Sequence, residues 1–268
     1  LTIGKKRFLS GVGFAYDPAD FIDAPPSPFH PELKQGVYSL GLTTFQPRYA
    51  LDTVVVLAGQ PEDYGYGLKL STFSLLAQTD LNFTGFYAKA DGVSLGLSVE
   101  STPFSAPFWQ DLVFYGEAGL VQSSLYQPKR NGSSFYPQLL TGIRYVHPAT
   151  ETSAVLEYYF LADGLNPEER EEVIQHQPWL NLPGRSARHN LLLHLQRTGV
   201  TRNKHPFTDH LSLSLRALGN LEDQSKLITA SVTSEAIKNT PISLESSWYL
   251  GDETTEYGSV PIKQAYRL

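Results

Sequence analysis

Alternation constrains this chain more than any other feature. Apolar and polar residues exchange at every position through segment after segment, and a period of two sends successive side chains to opposite faces of a β-strand. In Val93-Ser94-Leu95-Gly96-Leu97-Ser98-Val99-Glu100 the odd positions are all aliphatic and the even ones are Ser, Gly or Glu. Leu211, Leu213 and Leu215 alternate with His210, Ser212, Ser214 and Arg216 in the same way, and Ala154, Leu156, Tyr158 and Phe160 with Ser153, Glu157 and Tyr159. Less regular segments of similar length cover 1–9, 35–46, 51–58, 66–77, 81–90, 111–122, 138–147, 189–198, 225–235, 242–250 and 260–268. The expectation is an all-β chain of roughly fourteen strands, each of about 8–12 residues, close to the length a tilted transmembrane strand needs.

The connections add direction. Every other junction is mostly brief, as at Gln46-Pro47-Arg48-Tyr49-Ala50, Gln78-Thr79-Asp80, His147-Pro148-Ala149-Thr150-Glu151 and Lys238-Asn239-Thr240-Pro241. The junctions between them are mostly long: 10–34, 59–65, 123–137, 163–188 and 251–259, with exceptions at the tight Asp91-Gly92 turn and at 199–206. Short turns at one end and long loops at the other mark an up-and-down barrel, whereas a soluble sandwich uses Greek-key crossings.

Composition removes other classes. No apolar run approaches the roughly 18 residues of a membrane-spanning helix. A net charge of −6 disfavours polyanion binding, and the absence of Cys removes disulfides, thiolate metal sites and a cysteine nucleophile. Charged residues are 18% of the chain, fewer than the solvent faces of soluble sheets usually require, while aromatics reach 12%. The polar faces are rich in Ser, Gly and Thr with single charges, and Tyr66, Tyr87, Tyr145, Phe160 and Trp248 lie near segment ends on the apolar parity, where an interfacial girdle belongs. Parity alone leaves open which face points inward. The chain has no Met, so Leu1 reads as a position inside a longer protein, and residues 1–268 as one barrel domain lacking its N-terminal part.

Two stretches resemble a known family. Gly4-Lys5-Lys6-Arg7-Phe8-Leu9-Ser10-Gly11-Val12-Gly13-Phe14-Ala15-Tyr16-Asp17-Pro18-Ala19-Asp20, with the return Lys34-Gln35-Gly36-Val37, is similar to the "Gly-Arg-Gln … Trp-Gly-x-Gly … Asn-Pro-x-Asp" region of porin-like outer-membrane proteins of Gram-negative bacteria, with Ser10 in place of Trp and Asp17 in place of Asn. The end of the chain, with Val260, Ile262, Tyr266 and Leu268 on one parity, resembles the C-terminal signal strand of such proteins, though Gln264 interrupts the pattern and Leu268 replaces Phe. The resemblance implies a location in the bacterial outer membrane. It also implies contact with membrane lipid and lipopolysaccharide, and recognition of the last strand by the barrel assembly machinery.

Candidate functional residues follow. Loop 10–34 is apolar and Pro-rich, and a long loop of that kind is uncommon unless functional. Folded into the barrel mouth, it would present Tyr16, Asp17, Asp20, Phe21 and Asp23 as a pore constriction; the plainer alternative is a packed external loop turning at Asp17-Pro18. Its three acids lack the oxygen spacing and the Gly of a calcium loop, so no metal is expected. Lys69, Glu100, Glu117, Arg144, Glu157, Arg216 and Glu245 fall on the polar parity as candidate lumen charges, with Glu117, Arg144 and Glu157 forming an acid-base-acid series on consecutive segments. Asn166-Pro167-Glu168-Glu169 opens a short helix whose charges read as a solvated face, followed by rim cations Arg185 and Arg188 beside His189.

Enzymatic patterns are thin. No Ser sits in a nucleophile-elbow setting, His194 and His210 lack a third metal ligand, and the pair Glu117 and Glu157 would meet as a glycosidase dyad only by accident of register. The reading is therefore not an enzyme and needs no cofactor. It is a porin-like channel for passive diffusion of small hydrophilic solutes, with no nucleic-acid partner. The alternatives are a non-conducting outer-membrane barrel (adhesin, envelope assembly factor or loop-borne hydrolase) and a soluble carbohydrate-binding β-sandwich.

Overall fold

A computed structural model of the chain describes residues 1–6, 11–21, 36–74, 78–89, 91–102, 111–122, 135–176, 184, 186–199, 211–234, 242–260 and 264–267. Its strands are β1 (Thr2–Lys6), β2 (Val37–Gln46), β3 (Tyr49–Val56), β4 (Gly65–Ser74), β5 (Thr79–Ala88), β6 (Gly92–Ser101), β7 (Leu112–Val121), β8 (Tyr136–His147), β9 (Thr152–Leu161), β10 (His189–Thr198), β11 (Leu211–Asn220), β12 (Lys226–Ser234), β13 (Ile242–Leu250) and β14 (Gln264–Arg267). All fourteen lie in one antiparallel sheet in sequence order, β1 to β14. Each strand therefore pairs with its chain neighbours, the up-and-down arrangement expected from the alternating segments. The sequential order contrasts with the Greek-key crossings of a sandwich.

The turns follow from their residues. Gln46 pairs directly with Tyr49, so Pro47-Arg48 closes a two-residue hairpin, and the Asp91 amide bonds the Ala88 carbonyl at 3.2 Å just before β6. Gly92 begins β6 at φ +73°, where other residues are strained. A 3-10 turn at Pro61–Asp63 leads into β4. The expected helix is α1 (Pro167–His176). Its N-terminus is a reciprocal capping box, in which the Glu169 amide donates to Asn166 Oδ1 at 2.8 Å and the Asn166 amide donates to Glu169 Oε2 at 3.0 Å.

The chain forms two compact units, residues 1–142 with 159–163 and residues 143–158 with 164–268. In the first unit the even positions of β6 and odd positions of β7 are covered: Ser94, Ser98, Tyr115, Glu117 and Gly119 are buried. The opposite parity carries the exposed side chains Tyr38, Leu40 and Leu42 of β2, Tyr66 and Leu68 of β4, Phe83 and Tyr87 of β5, and Leu95 and Leu97 of β6. Register places them side by side, with Tyr66 opposite Tyr87 and Phe83 opposite Leu97.

The second unit repeats the inversion. Asn190, Leu192 and His194 of β10, Leu218 and Asn220 of β11, and Leu227 and Thr229 of β12 are buried on one face. Leu191, Leu193 and Leu195 of β10 and Leu213 and Leu215 of β11 are exposed on the other, with Leu195 opposite Leu215. Polar groups of the covered face satisfy one another across strands: Ser214 with Ser231 at 2.9 Å and Thr229 with Ser247 at 3.0 Å, much as Asn82 donates to Ser98 at 3.2 Å in the first unit. Both units thus cover a face that mixes hydroxyls and amides with a few aliphatics such as Val54, Leu192, Leu218 and Leu227, and expose a face of mainly leucine and aromatic side chains.

Burial of the covered face is graded along the strands. Near the long-loop end Ser39, Val54, Thr84 and Ala88 in the first unit, and Asn190, Leu192, Leu218 and Leu227 in the second, are buried. Toward the short-turn end Thr43, Asp52, Ser71 and Asn82, and Gln196, Ser212, Ser214 and Glu245, are half-buried, while Asp80 and Ser243 are exposed.

Candidate functional site

Residues 11–21 lie across the covered face of the first unit. Glu117 of β7, 4% exposed, is their anchor. Its Oε1 accepts hydrogen bonds from the amides of Val12 and Gly13, the latter at 2.6 Å, and its Oε2 accepts one from the Ala19 amide at 3.0 Å. One carboxyl group thereby holds both ends of the segment.

Glycines make room for this contact. A Cβ at Gly96 of β6 would lie 2.9 Å from both Ala19 Cα and Phe21 Cε2, and one at Gly119 of β7 would strike the Pro18 carbonyl. Both sit inside strands, where glycine marks a close backbone approach. Tyr16 is buried and stacks on Tyr159 of β9 with ring centroids 4.4 Å apart at 11°, and the Tyr159 hydroxyl donates to Gln138 at 3.2 Å. Neighbouring Tyr115 crosses over Gly142 of β8, which has no side chain to block it.

The residues expected at a constriction divide accordingly. Tyr16, Asp17, Asp20 and Phe21 are in this segment, whereas Asp23 lies outside the described residues. The Asp20 amide donates to the Asp17 carbonyl at 3.1 Å, so the expected turn at Asp17-Pro18 is present. A Cβ on Gly11 would lie 2.6 Å from Asp17 Oδ1 and 2.8 Å from Glu117 Oε1, which brings an expected constriction acid beside an expected lumen acid.

The other charges occupy the polar face of their strands. Lys69 of β4 is opposite Asp52 and Thr84, and Glu100 of β6 is opposite Asp80 and Tyr115. In the second unit Arg216 is opposite His194 and Thr229, and Glu245 is opposite Ser231 and Arg267; Glu157 is fully buried and Arg144 half-buried. Among the described residues no group of three His, Asp or Glu could hold a metal ion.

The long-loop end of the second unit differs from the expectation of a solvated helix. Arg170 of α1 is fully buried, its Nη1 2.8 Å from Asp223 Oδ2 in the turn between β11 and β12, and its Nη2 donates to the Leu165 carbonyl at 3.1 Å. Arg188 likewise is engaged, donating to the Gly164 carbonyl at 2.7 Å and to Glu169 at 3.2 Å. Arg185 lies outside the described residues.

The chain matches no protein-family model, and no curated protein matches it significantly. Its class rests on its own architecture: an antiparallel up-and-down all-β sheet with polar groups covered and apolar groups exposed.

Proposed function

We propose that this is a transmembrane β-barrel of the bacterial outer membrane that passes small hydrophilic solutes by diffusion, with segment 11–21 narrowing the path. The inversion of the faces carries the reading. A soluble sheet would leave Leu95 and Leu97 in the first unit, and Leu193, Leu195, Leu213 and Leu215 in the second, against water, and exposed patches beyond a few hundred Å² are uncommon on soluble monomers. Against lipid the same side chains are favourably placed, and Tyr38, Tyr66 and Tyr87 near the long-loop end supply an interfacial belt. Outer-membrane lipid and lipopolysaccharide are then its surroundings, and the barrel assembly machinery is the partner for β14, on which Tyr266 is exposed.

The covered face supplies the polar path. Hydroxyls and amides with interspersed Asp52, Lys69, Glu100, Arg216 and Glu245 select by radius and fixed charge, and no bond is made or broken. Reconstitution into planar bilayers gives stepwise conductance on this reading, and the step grows when residues 15–21 are deleted. A folded, heat-modifiable barrel that never conducts refutes the channel. Burial of the covered face at its loop end favours that second reading, a non-conducting barrel, and the same recording separates the two.

A further inference from the structure

Glu256, in the loop between β13 and β14, is a fully buried carboxyl with half of its bonding capacity unused. Its Oε1 accepts from the Gly184 and Ser186 amides, each at 3.1 Å, and from the Ser186 hydroxyl at 2.8 Å. Its Oε2 has no hydrogen-bond partner. The Glu256 amide donates to Asp223 Oδ2 at 2.8 Å, the oxygen that also pairs with Arg170, and Asp223 Oδ1 accepts from the Ser225 amide and hydroxyl at 2.9 and 2.6 Å. Four pieces of chain therefore meet: α1, Gly184 and Ser186, the 221–225 turn and the 251–260 loop. Among the described residues the charged groups facing Glu256 are Arg170 from α1 and Asp223 from the turn; Gly184 and Ser186 present backbone amides and the Ser186 hydroxyl.

We infer that these loops form a proton-held latch at the long-loop end, closed while Glu256 carries its proton and released when it ionises. Arg170 is shared with Asp223, so among the described residues an ionised Glu256 leaves one net negative charge in a fully buried site. The protonated carboxyl needs no counter-charge and keeps Oε1 as the acceptor for Gly184 and Ser186. Burial pushes the Glu256 carboxyl above the usual carboxylate range, against the pull of Arg170 and of the Ser186 hydroxyl, and Asp223 adds to the push. The sign follows: a carboxyl raised in the folded state contributes stability at low pH that is lost as pH rises through its folded value. Acid closes the latch and alkali opens it. That opening admits solute rests on the channel reading; that the loops loosen does not.

Hydrogen exchange of the folded protein in lipid vesicles, expressed as protection factors, tests this on the peptides covering 184–188 and 251–260. Protection of the wild type should fall with rising pH by up to about tenfold per unit between the ordinary carboxylate range, to which Glu256 returns when the loops open, and its raised folded value, and level off above that. Glu256→Gln, neutral at every pH, should stay protected throughout. Ser186→Ala removes a bond that favours ionisation and should extend the fall to higher pH before it levels off, which keeps the test decisive where Glu256→Gln does not fold. Flat wild-type protection, or a parallel fall in Glu256→Gln, overturns the latch. In bilayers, the open probability of the wild type should rise over the same pH range and that of Glu256→Gln should not. Loosening without a conductance change overturns gating, and the absence of conductance at every pH overturns the channel reading alone.

Discussion

Leu97 sits mid-strand in β6, opposite Phe83 of β5 and Ala118 of β7, and is 38% exposed on the apolar face. Leu97→Arg therefore separates water from lipid as the solvent of that face. In water the substitution creates no cavity and buries no charge, and such surface changes stay within about 0.5 kcal/mol. At the midplane of a bilayer it costs about 2–4 kcal/mol, falling to about 0–1 kcal/mol near the interface. Tyr38, opposite Lys5 near the long-loop end and in the proposed interfacial belt, supplies the shallow comparison. The expected result is a gradient: Leu97→Arg lowers the folding equilibrium constant by roughly 30-fold to 900-fold, and Tyr38→Arg by less than about tenfold. Denaturant titration in lipid vesicles, followed by the fraction that migrates as the folded band without boiling, measures both. Equal and negligible costs at the two positions, or a Leu97→Arg protein that gains solubility without detergent, refute a lipid-facing apolar face.

Other substitutions address the interior. Gly96→Val places side-chain atoms where Ala19 and Phe21 pack and should displace segment 17–21, giving a larger single-channel step; an unchanged step argues against that segment as the constriction. Glu117→Gln turns one acceptor into a donor against the segment's amides, leaving a buried donor unsatisfied at about 1–3 kcal/mol, and should speed proteolysis within 11–21. Arg170→Met strands Asp223 and should cost about 3–5 kcal/mol, read as a lower melting temperature, with Asp223→Leu in the same chain recovering part of the loss. Asp80 and Glu100 face each other as like charges on the accessible part of the polar face, so Asp80→Asn with Glu100→Gln should lower any preference for cations in reversal-potential measurements.

Much of the sheet was legible because strand periodicity is local. Residues 93–100 sorted themselves into two faces from the sequence alone, and Asn166-Pro167 with Glu169 declared the start of α1. Which face is covered was not legible, because alternation is the same whether the apolar side meets a core or a lipid tail. The candidate site was legible only in outline. Loop 10–34 stood out by composition, but its anchor Glu117 lies about a hundred positions away, and local patterning carries no information about such a contact. Gly96 and Gly119 held a signal, since glycine within a strand marks a close approach, yet the approaching backbone could not be named. Arg170 looked like one charge in a solvated run; its burial depends on Asp223, 53 residues later, and Glu256 reaches back 70 residues to Ser186.

Because the chain contains no Cys, single cysteines at positions 93–100 give unique spin-label sites. Collision accessibility of those labels to lipid-soluble oxygen and to a water-soluble nickel complex, in reconstituted vesicles, reports directly which solvent each face meets. The account predicts a period of two, with labels at 93, 95, 97 and 99 reached by oxygen and hidden from nickel, and labels at 94, 96, 98 and 100 not reached from lipid. Nickel access at Leu95 and Leu97 would contradict it.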